Sequence, residues 1–250
     1  MESNILFNIN YLLASILITE IAIATLLLLS IGIIRTRLAA KAKKNLEELH
    51  KISDLIIKSL TEEQYLSPTP NFNLSETGAH NLLLHEMIAF SRRFNGEQWN
   101  NLCRDISQFY LLPRARMWVK SKNWLHRNYA ARCFALSPLA EDKLNIIKLI
   151  DDPVFLVASI AATAGMHFES KNIIDKIIHK MTYEPGYAHY FYRDLILQHQ
   201  TLSCLKLIEN LSTESLDPAI RLACQSILTA NPLVETSMMS QDLSQNTGSG

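Results

Sequence analysis

The sequence predicts an all-α fold: a single N-terminal transmembrane helix, an amphipathic juxtamembrane helix, then an array of about four to five helical hairpins. Three observations carry this reading. Leu12 to Ile34 is an apolar stretch long enough to cross a bilayer, apolar residues beyond it recur at steps of three and four, and an acid–proline step repeats at intervals of 32 and 33 residues. Only seven glycines and eight prolines punctuate 250 residues. A hydrophobic fraction of 48% is that of a folded chain, and 24 basic against 24 acidic side chains argue against a nucleic-acid partner.

Residues 1–34 form the predicted anchor. Ser15, Thr19, Glu20, Thr25, Ser30 and Gly32 interrupt an otherwise apolar stretch, which as a helix spans roughly 34 Å. Glu2 is the sole charged side chain before it, and the stretch is too long for the apolar region of a cleaved secretory leader, so an uncleaved anchor is expected. Arg35, Arg37, Lys41, Lys43 and Lys44 follow at once. Basic flanks stay in the cytoplasm, which predicts a single-pass protein of the inner (cytoplasmic) membrane with its N-terminus outside and its C-terminal domain inside. Glu20 is costly within a span and is the expected contact with another membrane protein, the alternative being a shallow helix in which it reaches the interface.

Residues 35–60 read as the juxtamembrane helix, because Leu46, Leu49, Ile52, Ile56 and Leu60 share a face among Lys43, Lys44, Glu47, Glu48, Lys51 and Lys58. Self-association through this helix or the anchor is a further expectation. Residues 61–78, with Ser67-Pro68-Thr69-Pro70, read as a linker. A helical domain follows over 79–232, with a helix from about Glu76 to Phe94 whose Leu82, Leu83, Met87 and Phe90 cap the array. Residues 233–250 lose all periodicity and read as a disordered tail, with Gly248-Ser249-Gly250 as an appended linker.

The repeat is visible at Asp152-Pro153, Glu184-Pro185 and Asp217-Pro218. Apolar helical segments precede them at 143–150, 172–181 and 202–211, and others follow at 154–164, 186–197 and 219–228. Proline suits the first turn of a helix, where its missing N–H has no acceptor to lose, and an acid suits the N-terminus. These units resemble HEAT repeats, most clearly at Arg127-Asn128-Tyr129-Ala130-Ala131 and at Asp217-Pro218-Ala219-Ile220-Arg221-Leu222-Ala223-Cys224, with Asp152-Pro153 to Val157 also fitting. The likeness covers about residues 97–230. It departs at Ala158, where the family usually places Arg, and at Tyr187–Tyr192, where aromatics replace small residues. The resemblance implies a HEAT-like α-solenoid, a role as an assembly platform, and an Arg127 paired with an acid of a neighbouring unit.

Catalytic patterns are missing. His85-Glu86 lacks a second histidine four residues after the first, since position 89 is Ala89, and no glycine-rich phosphate loop or nucleophile elbow occurs. Cys103, Cys133, Cys204 and Cys224 form no C-x-x-C pair and are expected to be reduced and buried. No enzyme, metal or cofactor is expected.

Two surfaces stand out. No acid occurs between Ile106 and Ala140, while Arg114, Arg116, Lys120, Lys122, Arg127 and Arg132 gather with Trp118, Trp124 and Tyr129. Such a segment suits an acidic protein partner or an anionic ligand, although the tryptophans could equally be core. Five aromatics fall between Tyr183 and Tyr192, and Tyr187, Tyr190 and Phe191 share one face, which suits a protein interface or the core. The expectation is a membrane-anchored cytoplasmic scaffold or accessory subunit, binding an integral membrane or membrane-associated partner through the solenoid. The alternative is a regulator binding an anionic small molecule or lipid head group at Arg114–Arg132.

Overall fold

A computed structural model describes residues 2–61, 79–184, 186–199 and 201–230, with side chains from Leu17 onward. Every element among them is helical. The chain divides into two units, Met1–Ile57 and Lys58–Gly250. The expected linker, Pro185 and the expected tail lie outside the described residues, apart from Thr61.

Helix α1 runs without interruption from Glu2 to Thr61. The expected boundary between anchor and juxtamembrane helix is therefore no break in the backbone. Hydropathy changes at Arg35, but the junction is rich in Arg, Leu, Ala and Lys, all strong helix formers, and contains no glycine or proline. Its mean hydropathy reaches 2.4 over the most apolar window, whose side chains are exposed, so α1 is long and apolar enough to cross a membrane. Thr25 and Ser30 donate their hydroxyls to the carbonyls of Ile21 and Leu26 within the same helix. These polar groups thus need no external acceptor in an apolar medium.

The second unit begins with α2 (Ala79–Ser91), shorter at its C-terminal end than the expected helix to Phe94, and α3 (Glu97–Ile106). Leu83 and Met87 are fully buried and Phe90 nearly so, while Leu82 is half-buried and Leu84 takes a core position instead. Gly96 has φ 107°, a conformation that favours glycine, and lets the chain turn into α3. A π-helical turn, Ser107–Leu111, joins α3 directly to α4 (Leu112–Trp118), and α5 (Trp124–Leu136) follows.

A short 3₁₀ turn leads into α6 (Lys143–Ile150), which coincides with the segment read from the sequence. The remaining helices are α7 (Phe155–Met166), α8 (Lys171–Tyr183), α9 (Gly186–Gln198), α10 (Leu202–Glu214) and α11 (Pro218–Thr229). Consecutive helices pair as α4–α5, α6–α7, α8–α9 and α10–α11. Alternate helices also touch, α5 with α7, α7 with α9 and α9 with α11 in one succession, and α6 with α8 and α8 with α10 in another.

Helix α7 packs against both α5 and α6, and its sequence explains how. Ala158, Ala161, Ala162 and Ala164 are fully buried, and small side chains let neighbouring backbones approach. Gly165 makes this explicit: a Cβ there would lie 2.9 Å from Ile173 Cγ2 and 3.3 Å from Ile150 Cδ1. Ala158, which replaces the arginine of the resembled pattern, is thus a packing position. The prolines act differently at the two described steps. Pro218 opens α11 with Asp217 as its N-cap, whose carboxylate accepts from Ala219 N at 2.9 Å. Pro153 instead lies before the cap of α7, which is Val154, and Asp152 accepts from Val154 N at 2.9 Å.

Candidate interaction surface

The acid-poor segment folds into the π-turn, α4, the following turn and α5. Asn123 caps α5, its side-chain oxygen accepting from Leu125 N at 3.0 Å. Arg127 donates from Nη1 to the carbonyls of Ser121 and Lys122 at 2.9 and 3.1 Å, and Ser121 Oγ lies 3.0 Å from His126 Nδ1. These contacts fix the turn that carries Lys120 and Lys122. Both lysines are exposed and form no ion pair among the described residues.

Trp118 organises the aromatic side. His126 stacks on it at 4.2 Å between ring centroids, Tyr129 meets it edge-on at 4.9 Å, and the Arg114 guanidinium carbon lies 4.6 Å from its ring centroid. The arginine is thereby held by the ring's negative face while its N–H groups are not consumed by a carboxylate. Trp118 remains half-buried and Trp124 is exposed.

Arg116 belongs to another role. Its Nε donates to Asp142 Oδ1 at 2.7 Å, Nη2 donates to Asp142 Oδ2 at 2.8 Å, and Nη2 also meets Glu141. Hydrogen bonds to Asp142 push its pKa up, burial opposes this, and the charges of Asp142 and Glu141 add to it. A bidentate pair with a buried carboxylate ties α4 to the start of α6, so Arg116 is not free for a ligand. Arg127 is consumed in the same way, by Asp152: Nε–Oδ2 is 2.5 Å and Nη2–Oδ1 is 3.1 Å. Of Arg114, Arg116, Lys120 and Lys122, all but Arg116 stay available.

A cavity of about 400 Å³ lies beside Arg114 and Trp118, lined also by His80, Phe109, Tyr110, Pro113 and Met117. His80 Nδ1 is buried there without a hydrogen-bond partner among the described residues. Burial holds the His80 pKa below the ordinary histidine value, the Arg114 charge adds to the effect, and a backbone hydrogen bond with Tyr110 opposes it. Sequence reasoning missed His80, Phe109 and Met117. Phe109 sits in the π-turn, a geometry that often marks functional positions, and points outward with Met117. Periodicity alone conceals that these large apolar residues on either side of Pro113 are exposed.

No protein-family model matches this chain, and no curated protein matches its sequence. The site therefore stands on its own geometry.

The second aromatic group is split by its helix. Tyr187 and Tyr190 are exposed, Phe191 is half-buried, and Tyr192 is fully buried. Phe155 of α7 gathers three of them edge-on, with centroid distances of 5.0 Å to Tyr187, 5.6 Å to Phe191 and 6.1 Å to Tyr192. The two exposed rings thus remain an apolar surface with hydrogen-bonding tips, while Tyr187 and Phe191 both serve the α7–α9 contact. Tyr183 lies apart and donates its hydroxyl to Asp217.

Glu20 lies exposed on α1 and has no hydrogen-bond or ion-pair partner among the described residues. All four cysteines are buried as free thiols. Burial pushes them up, to about 11 for Cys103, Cys204 and Cys224 and about 12 for Cys133, so they are protonated and unreactive near neutrality. Among the described residues no group of three or more His, Cys, Asp or Glu could hold a metal ion.

Proposed function

We propose that this protein is a membrane-anchored scaffold: α1 crosses the cytoplasmic membrane, and a HEAT-like solenoid in the cytoplasm binds a protein partner. The observation that carries the reading is the composition of the surface around Trp118. Phe109 is 63% exposed, Met117 76%, Trp124 42% and Leu125 57%, beside an arginine held on an aromatic face and two exposed lysines. Aromatic residues, methionine and arginine are enriched in protein interfaces, and large apolar side chains left in water favour being covered. The basic flank after Ile34 supports the orientation. The pairing of consecutive helices and the contacts between alternate ones support stacked hairpins, and the Arg127–Asp152 pair matches the resembled pattern.

Its action is tethering, not catalysis: confinement to the bilayer raises the effective concentration of a partner without new chemistry. Glu20 supplies a polar contact within the membrane to an integral subunit, and Tyr187 and Tyr190 extend the protein-binding surface. The experiment is affinity capture of the full-length protein in mild detergent, beside Met117→Ser/Trp124→Ser and Glu20→Leu variants, with mass spectrometry of the captured proteins. A defined partner lost with the first variant supports binding by the helical domain, and one lost with Glu20→Leu supports assembly through the anchor. A partner list identical for all three proteins refutes both.

A second reading rests on the His80–Arg114 cavity, where a buried imidazole nitrogen lacks a partner next to a cation. An anionic small molecule or lipid head group bound there would make the protein a ligand-responsive regulator. Retention at low salt and loss at high salt separates this from an apolar protein interface.

A further inference from the structure

Two part-buried arginines earlier in the domain are matched by acids, Arg116 by Asp142 and Glu141, Arg127 by Asp152. Arg193 of α9 has no such match. Among the described residues its buried Nε has no hydrogen-bond partner, and no carboxylate pairs with its guanidinium. A guanidinium N–H withdrawn from water and left without an acceptor is unfavourable unless something else supplies one.

Beside Arg193 a cavity of about 600 Å³ opens at α9 and α11, lined by Thr182, His189, Leu222, Ser226 and Thr229 with three alanines. The other polar groups have a shared character. The hydroxyls of Thr182, Ser226 and Thr229 donate to the carbonyls of Ile178, Ala223 and Gln225, which leaves their lone pairs. His189 Nδ1 lies 3.0 Å from the Met181 carbonyl, which can only accept, so Nδ1 carries the proton and Nε2 of the neutral ring is an acceptor. One cationic donor is therefore set among four acceptors and a short apolar lining.

We infer that this cavity binds a small carboxylic acid that carries its own hydrogen-bond donor, of the 2-hydroxy acid or amino acid class. The carboxylate meets the terminal nitrogens of Arg193, which keep accessible surface where Nε has none, the donor meets the hydroxyl and imidazole lone pairs, and a short aliphatic body lies against Leu222 and the alanines. A bare anion satisfies Arg193 alone. The site is independent of the surface around Trp118.

The test is calorimetric titration of the full-length protein in lipid nanodiscs at constant ionic strength, with lactate, leucine, butyrate and inorganic phosphate as probes. Lactate or leucine is expected to bind saturably, and butyrate about two- to tenfold more weakly for want of one hydrogen bond. Arg193→Gln is expected to weaken binding at least about tenfold, as loss of a charge-assisted contact does. Leu222→Trp is a second variant, since Leu222 is 67% exposed and a larger ring there obstructs the cavity without entering the core. It should weaken binding while leaving the helical circular dichroism unchanged. Absence of saturable binding by all four probes overturns the inference. So does binding that both variants leave unchanged, or phosphate and butyrate binding as tightly as lactate and leucine.

Discussion

The guanidinium of Arg127 in α5 grips the carboxylate of Asp152, 25 residues later, while the same carboxylate accepts the backbone N–H of Val154 at the entry to α7. One acid thus links two successive helical pairs and holds the turn between α6 and α7. Asp152 is buried and the Arg127 side chain is 16% exposed, so removing either leaves the other poorly solvated. Asp152→Ala is expected to destabilise the domain by about 3 kcal/mol. The paired change Arg127→Met/Asp152→Ala should cost less than the sum of the single ones, as measured by denaturant unfolding in detergent.

Gly165 offers a second packing test. A side chain's first carbon at this position would meet Ile173 Cγ2 at 2.9 Å, and that methyl is fixed on a branched Cβ, so a larger residue forces α7 and α8 apart. Gly165→Val is expected to cost about 2 kcal/mol by overpacking, read as a lowered unfolding midpoint.

The buried thiols set an alkaline limit. Their pKa values are raised in the folded protein, so the unfolded chain loses its thiol protons first as pH rises. The stabilisation is complete below the ordinary thiol value near 8.5 and is lost progressively as pH climbs toward about 11. Thermal unfolding from pH 8 to 11 should show a falling midpoint. Alkylation at pH 8 should be slow when folded and rapid in denaturant.

Histidines act at the opposite end. Burial lowers the pKa of His80 and His167, with Arg114 adding to the first and His199 to the second. The unfolded chain binds these protons first, so stability present above the ordinary histidine value near 6.5 declines on acidification below it. His80→Leu should flatten that decline between about pH 6.5 and 5, measured by chemical denaturation.

Much of the helical order was legible from the sequence. The segment 143–150 matches α6 end to end, and Arg127 finds an acid of the next helical pair, as the resemblance implied. Helix period reports on local structure, which is why it succeeds, whereas of the two described acid–proline steps Asp217-Pro218 alone forms the expected cap and first turn. Arg116 was misread because a basic run looks the same whether its charges are free or paired, and its acids lie 25 and 26 residues away. Helical spacing places Tyr187, Tyr190 and Phe191 on one face but does not tell that the two tyrosines are exposed and Phe191 half-buried, since Phe155 meets Tyr187 and Phe191 alike. The continuous α1 was hidden by a change in hydropathy that does not change backbone preference.

The π-turn has a consequence for phase. The buried positions run Trp99, Leu102, Cys103 and Ile106 in α3, Ser107 and Leu111 in the turn, then Leu112 and Ala115 in α4. The pair Leu102–Cys103 recurs after four residues as Ile106–Ser107, but that pair recurs after five as Leu111–Leu112, where an α-helix would use three or four. Removing one residue from the turn would restore a step of four and keep both apolar stripes facing inward. Phe109 is therefore a supernumerary residue as far as folding is concerned: the helix could lose it and remain in register, and what it would lose is an aromatic ring held out in water.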